Sequence, residues 1–192
     1  MAAPNQKLIS NLGQAFRTDL PDLGSMDEYL DWMIPKIRPR SEDLHEEEHF
    51  TGRAWMEFRD NDKFHDSVLH FFNPGGEYLL SVNGDVSAGH WRILEQPNKF
   101  LLEHKERDSE AELFDLAYMD RSFFILKKHG DHLHSNRAKY FVLAHEPLAK
   151  RLEWIDLMEL MYDTYRSNNQ VYLFIAAVVL LSIVLILLLS FS

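Results

Sequence analysis

The sequence predicts a mainly β protein: a small antiparallel barrel of eight strands, flanked by helical segments and ending in one transmembrane helix. Three observations lead there. From Arg53 to His145 the chain contains eight short runs rich in aromatic and aliphatic residues, spaced about ten residues apart. Turn residues separate them: NPGG, NGDVSAG, QPN, KERDSE, MDR and HGDHLHSNRA. On either side the apolar period changes from about two to about 3.6, the difference between a strand and a helix.

Evenly spaced short strands with turn chemistry between them form an antiparallel meander. Eight of them can close on themselves, which leaves no unpaired edge. The runs are RAWMEFR, SVLHFF, EYLLSV, GHWRIL, KFLLEHK, AELFDLAY, SFFILKK and KYFVLAH. Large side chains suited to filling such a barrel are Phe58, Phe71, Tyr78, Trp91, Phe100 and Phe123. Their number favours a packed interior, because an eight-stranded barrel has room for side chains or for one small ligand.

Before the strands, Ser25 with Glu28 makes a capping box for a helix from Met26 to Ile34. Leu30, Met33 and Ile34 form its apolar side, and Pro35 and Pro39 are expected to stop it. The acidic run SEDLHEEEH follows and reads as a solvated link to the first strand. After Pro147, the residues Leu148, Leu152, Ile155, Met158, Tyr162 and Tyr165 recur at helical spacing, as on an amphipathic helix that packs against the barrel.

Residues Val171 to Ser192 carry no charge. At about 1.5 Å per residue that length matches the roughly 30 Å core of a bilayer, so the expectation is a membrane anchor. Tyr172 and Arg166 would lie at its interface. Lys150, Arg151 and Arg166 precede the span and no charge follows it, which places the folded part in the cytoplasm, most simply at a bacterial cytoplasmic membrane. The expected organisation is therefore 1–49 helical and acidic, 50–146 barrel, 147–170 amphipathic helix and linker, and 171–192 anchor.

The net charge is −10, from 30 acidic and 20 basic residues, which opposes binding of nucleic acid. There is no cysteine, so disulfides, thiolate metal sites and thiol catalysis are excluded.

His45 to His49 match H-E-x-x-H, in which two histidines one helical turn apart hold zinc and the glutamate acts as base. That chemistry needs a buried helix against a sheet. Here Glu47 and Glu48 fill the intervening positions, Trp55 stands where an extended motif has a third histidine, and strand periodicity begins almost at once. A zinc hydrolase using His45, Glu46 and His49 is therefore the weakest alternative, and no cofactor is expected. His129, His132 and His134 form a second cluster, in a loop, where plain polarity explains them as well as metal binding does. Glu57 and Glu103 lie on separate strands that register alone would decide whether to bring together.

The segment from Val68 to His129 resembles the bacterial lipocalin-like domains. Phe72 ends a strand, Gly76 and Tyr78 make a G-x-Y turn, Gly89 and Trp91 make a Gly-x-Trp strand, and Leu102 lies in a strand of alternating leucines. The resemblance implies a small up-and-down barrel and little about chemistry.

Taken together, the expected function is that of a non-enzymatic, tail-anchored accessory, scaffold or assembly subunit. Its partners would be the lipid bilayer and another membrane protein. The alternative is a barrel that binds a small apolar ligand or lipid.

Overall fold

In the computed structural model, which describes residues 20–61, 67–104, 111–130 and 138–190, eight antiparallel strands form a closed barrel in simple sequence order. They are β1 (Ala54–Phe58), β2 (Val68–Asn73), β3 (Glu77–Val82), β4 (Asp85–Ile93), β5 (Lys99–His104), β6 (Ala111–Met119), β7 (Phe123–Lys128) and β8 (Tyr140–His145). β1 pairs with β8, Met56 opposite Ala144, and this closes the sheet. The barrel architecture expected from the runs is present. The largest boundary difference is in β4, which begins at Asp85, because Asn83 (φ 53°) and Gly84 (φ 99°) make a two-residue turn and the following residues pair with β3. Both central residues of such a hairpin turn need positive φ, which Asn-Gly tolerates well.

Alternation sorts the strands into two faces. The inward set includes Trp55, Phe72, Tyr78, Trp91, Phe100, Leu102, Phe114, Phe124, Leu126 and Leu143, all buried in one cluster. The six aromatic residues proposed to fill the interior divide between the faces. Tyr78, Trp91 and Phe100 point inward. Phe58 and Phe123 belong instead to an outer cluster beneath the helices, and Phe71 is half-buried on the outward parity of β2. β7 is buried on both faces along its first four residues, so its side chains carry no polar alternation to reveal which face is inside.

The outer cluster exists because two helices cover β1 and β6–β8. The first, α1 (Met26–Ile37), is capped by the Ser25 hydroxyl, which accepts from the Glu28 N–H. It continues through Pro35, contrary to the expected stop. The buried Met33 and Ile37 hold its last turn on the barrel, and the Arg38 N–H still donates to the Ile34 carbonyl. Asp27 pins the helix to β8 by accepting from the N–H groups of Lys139 (2.8 Å) and Tyr140 (3.3 Å). Asp31 accepts from the Tyr140 hydroxyl at 2.8 Å.

A short helix, α2 (Glu146–Ala149), follows β8 and leads to the long α3 (Trp154–Ser190). The expected amphipathic helix does pack on the barrel, along its flank and beside α1. Its buried residues are Leu157, Met158, Met161 and Tyr162, whereas Leu148 precedes the helix and is exposed. Trp154 meets Tyr29, Trp32 meets Tyr162, and Arg40 meets Tyr165, so α3 runs in the same direction as α1.

Among the described residues no helix is long and apolar enough to cross a membrane. The transmembrane helix expected at 171–192 is not shown by the described residues. α3 is helical to Ser190, but its side chains at 167–174, 184–185 and 187–190 lie outside the described residues, Tyr172 among them.

Candidate functional site

The two ends of the barrel differ in chemistry. One end is plugged. Leu44 and Phe50, from the segment expected to be a solvated link, are fully buried, which corrects that expectation for its apolar residues. The Phe50 ring packs against Phe72, Trp91, Phe100 and Phe124, with centroid separations of 6.1, 5.1, 5.9 and 5.3 Å. Its carbonyl accepts from the Trp55 indole N–H at 2.8 Å. The acidic residues Glu46, Glu47 and Glu48 do face solvent. A chain with so few apolar residues in this stretch spends both on closing the barrel.

This local structure also decides the zinc motif. Histidines four apart come close enough to share a metal when an α-helix carries them. Here Glu47–His49 is a single 3-10 turn, and the group whose ligand atoms converge within 4.8 Å is Glu42, Glu46 and His49, without His45. Within it, His49 Nε2 and Glu46 Oε2 lie 2.8 Å apart. The geometry therefore does not assemble the His45–Glu46–His49 constellation that a zinc hydrolase would require. In the second histidine cluster, His129 Nδ1 lies 3.1 Å from Asp115, which also accepts from Lys99 Nζ at 2.6 Å. His132 and His134 lie outside the described residues.

Toward the other end the interior becomes polar. Glu57 on β1, His70 on β2 and Tyr78 on β3 all point inward and are buried. His70 Nδ1 lies 2.7 Å from the Tyr78 hydroxyl, and His70 Nε2 lies 3.2 Å from Glu57 Oε2. The other Glu57 oxygen accepts from Arg59 Nε at 2.6 Å. With a neutral imidazole the donors run one way: Tyr78 O–H to Nδ1, then Nε2–H to the carboxylate. Burial pushes the Glu57 carboxyl up, but the hydrogen bonds of His70 and Arg59 and the charge of Arg59 outweigh it and hold the group below its ordinary range. Phe141 stands edge-on to the His70 ring at 5.0 Å, and the His104 ring stands edge-on to Tyr78 at 5.2 Å.

The sequence leaves open whether Glu57 meets Glu103, and the structure separates them: Glu103 faces outward on β5, 3.8 Å from Arg92. The true partner, His70, was missed because it was read as one strand residue among others. The available signal was parity: His70 shares its face with Val68 and Phe72, so an inward Phe72 forces an inward histidine.

The residues carrying the family resemblance are distributed as follows. Phe72, Tyr78, Trp91 and Leu102 are in the interior cluster. Gly76 (φ 87°) lies in the β2–β3 turn, and its carbonyl accepts from the Trp91 N–H at 2.9 Å. At Gly89, an added Cβ would meet the Glu103 carbonyl oxygen at 2.2 Å and the Tyr78 ring at 2.8 Å, so the barrel wall there has room for glycine only. The Trp91 indole N–H reaches the Asn73 carbonyl at 3.0 Å. The closed eight-stranded barrel is compatible with a lipocalin-like fold. The chain matches no protein-family model, no curated protein and no solved structure.

Proposed function

We propose that this protein is a non-enzymatic membrane module, anchored through residues 171–192, that presents its barrel in the cytoplasm as an accessory or assembly subunit of a membrane complex. The observation that carries the reading is the exposed apolar surface of the second half of α3. Leu180, Leu181 and Ile186 are 65%, 68% and 64% exposed, and Ile175, Val178, Val179 and Ile183 are exposed beside them. A contiguous apolar surface of this kind is costly in water and calls for a lipid or protein cover. The sequence supports lipid, because the whole stretch from Val171 to Ser192 is uncharged. Because α3 runs alongside α1 toward Arg40, the stretch leaves from the plugged end, and the Glu57–His70–Tyr78 end points away from the bilayer.

The test is flotation of the full chain with phospholipid vesicles, compared with a chain ending at residue 170. The full chain should float and resist carbonate extraction, and the shortened chain should stay in the supernatant with an unchanged β-type circular dichroism spectrum. A full chain that stays in the supernatant would sink the reading.

A second reading, a small apolar ligand in the distal half of the barrel, is favoured by Leu80 and Phe141. Both belong to the interior cluster yet remain only partly buried. Mass spectrometry of organic extracts from the purified protein decides it, since a bound molecule should co-purify in near-stoichiometric amount.

A further inference from the structure

The H-E-x-x-H stretch keeps part of its metal-binding character in a different geometry. In a 3-10 turn, side chains three residues apart eclipse one another, whereas those four apart point about 120° away. The turn Glu47–His49, with Glu46 at its N-cap, therefore puts Glu46 and His49 on one side and leaves His45 out. His49 Nε2 lies 2.8 Å from Glu46 Oε2. The third member, Glu42, comes from before the turn, and the three ligand atoms lie within 4.8 Å of one another. The backbone that carries them is held. The Glu42 N–H donates to the Met119 carbonyl on β6 at 2.9 Å, and the Met119 N–H donates to the Ser41 hydroxyl at 2.9 Å. The Glu46 N–H reaches the Asp43 carbonyl at 3.1 Å, and the His49 N–H reaches the Glu46 carbonyl at 3.0 Å. Leu44 and Phe50, fully buried, anchor the same stretch in the barrel end. Ligands on a backbone already ordered lose little conformational entropy when they close on an ion.

The donor types select the cation. One imidazole nitrogen and two carboxylates make a mixed nitrogen–oxygen set without thiolate, which suits zinc and its first-row neighbours better than magnesium or calcium. Ligands on a tetrahedral zinc stand about 3.4 Å apart, given bonds of about 2.0–2.2 Å. Closing to that separation needs small rotations of the two carboxylates, and the Glu46 side chain, 55% exposed, has room for them. Charge favours a cation as well, since Asp43, Glu47 and Glu48 flank the set in a chain of net charge −10. We propose that Glu42, Glu46 and His49 form a three-ligand site for a divalent cation of the zinc class. The ion displaces the proton shared by His49 and Glu46, and the neutral imidazole keeps its proton on Nδ1. The site is a clamp and not a hydrolytic centre, because Glu46, which the motif would use as base, is itself a ligand. Bound ion ties Glu42, held to β6, to the turn that leads into Phe50, and so fixes the plug on the barrel end. The inference does not depend on membrane anchoring.

The experiment titrates zinc chloride into the full chain in a mild detergent, followed by calorimetry and by thermal melting. Histidines elsewhere, such as those at 129–134, can hold zinc too, so the deciding quantity is the equivalent lost on substitution. Glu42→Gln, Glu46→Gln and His49→Ala should each lose one equivalent of bound zinc. His45→Ala and Glu47→Gln should keep it, although the first removes a motif histidine and the second removes the same charge from an exposed neighbour. With free zinc about a hundredfold above the dissociation constant, the wild-type melting temperature should rise by about 5–10 °C, and the three ligand variants should not follow. Glu46 is exposed, so Glu46→Gln should fold, as circular dichroism would check, and that variant alone suffices to decide. A wild type that binds no zinc, undiminished binding in Glu46→Gln, or an equal loss in His45→Ala or Glu47→Gln would overturn the proposal. So would a melting-temperature rise as large with calcium as with zinc, since that marks carboxylates acting without the imidazole.

Discussion

Phe50→Ala should be among the most damaging single substitutions in the chain, although the residue sits in an acidic segment before the first strand. Its side chain is fully buried and meets four aromatic rings inside the barrel. Loss of a buried phenylalanine to alanine costs about 3–5 kcal/mol, through lost transfer energy and the cavity left behind. Edge-to-face ring pairs contribute about 0.5–1.5 kcal/mol each beyond area, which points to the upper half of that range. Collapse of the cavity would lower the figure. However, the Phe50 carbonyl is tied to the Trp55 indole and the Gly52 N–H to the Phe72 carbonyl, so the segment is held from both sides. Equilibrium urea unfolding in mild detergent, followed by tryptophan fluorescence, measures the loss. The control is the double variant His45→Ala, His49→Ala in the same six residues. His45 is exposed and His49 is paired with the exposed Glu46, so that change should stay within about 1 kcal/mol, as for surface ion pairs. A mild Phe50→Ala effect, or a histidine pair that costs more than the phenylalanine, would refute the plugged end.

Other expectations follow from the wall and interior of the barrel. Gly89→Ala should cost more than the roughly 1–3 kcal/mol of ordinary overpacking, because the clash at 2.2 Å is with backbone. A melting temperature within a degree or two of wild type would contradict the close approach of β4 and β5. Trp91→Ala should lose about 3–5 kcal/mol, read by the same urea titration, since its ring stacks on Phe100 at 5.7 Å and its N–H is bonded. Glu57 ionises more readily in the folded protein than in the unfolded chain, so its contribution is present above the ordinary carboxylate range near 4.3 and fades as pH falls below it. Glu57→Gln should therefore be clearly less stable than wild type at pH 7. The gap between the two urea midpoints should narrow as the pH is taken below about 4. A gap independent of pH would remove the ionised carboxylate from the network.

Some of this was legible in the sequence and some was not, for identifiable reasons. The eight strands could be read because each run has period two and turn residues at its ends. Where a face is hidden on both sides, as in FFIL on β7, the alternation carries no information about inside and outside. Phe58 and Phe123 were assigned inward for that reason, since the helices that cover them come from distant parts of the chain. The β-bulge between Leu116 and Tyr118 adds a further shift of parity that no residue in AELFDLAY announces. Pro35 misled in the opposite direction: a local rule predicted a stop, and burial of Ile37 two residues later overrode it. The Glu57–His70–Tyr78 group spans three strands, and its members meet only because the register places Trp55 opposite His70 and Phe72 opposite Tyr78.

Those failures bear on the motif that first suggested catalysis. H-E-x-x-H describes spacing along the chain, and spacing becomes geometry only through the element that carries it. On an α-helix, residues 45 and 49 would share a face. Here the chain spends the same residues on a 3-10 turn that carries it from Leu44, which is buried, to Phe50, which is buried again. Two apolar anchors six residues apart fix that path, and the turn between them throws the charged side chains outward. Energetically the comparison is one-sided. The phenylalanine contributes several kcal/mol only if it enters the barrel, whereas a regular helix over 45–49 would gain a few tenths of a kcal/mol per residue from propensity. The same inequality explains why the polar group formed at the other end. With the plugged end filled by rings, the distal half is where Glu57 and His70 can satisfy each other and still lie near solvent-exposed Arg59. The separation of an apolar plug from a polar distal floor is therefore built into the barrel, with Phe50 deciding which end is closed.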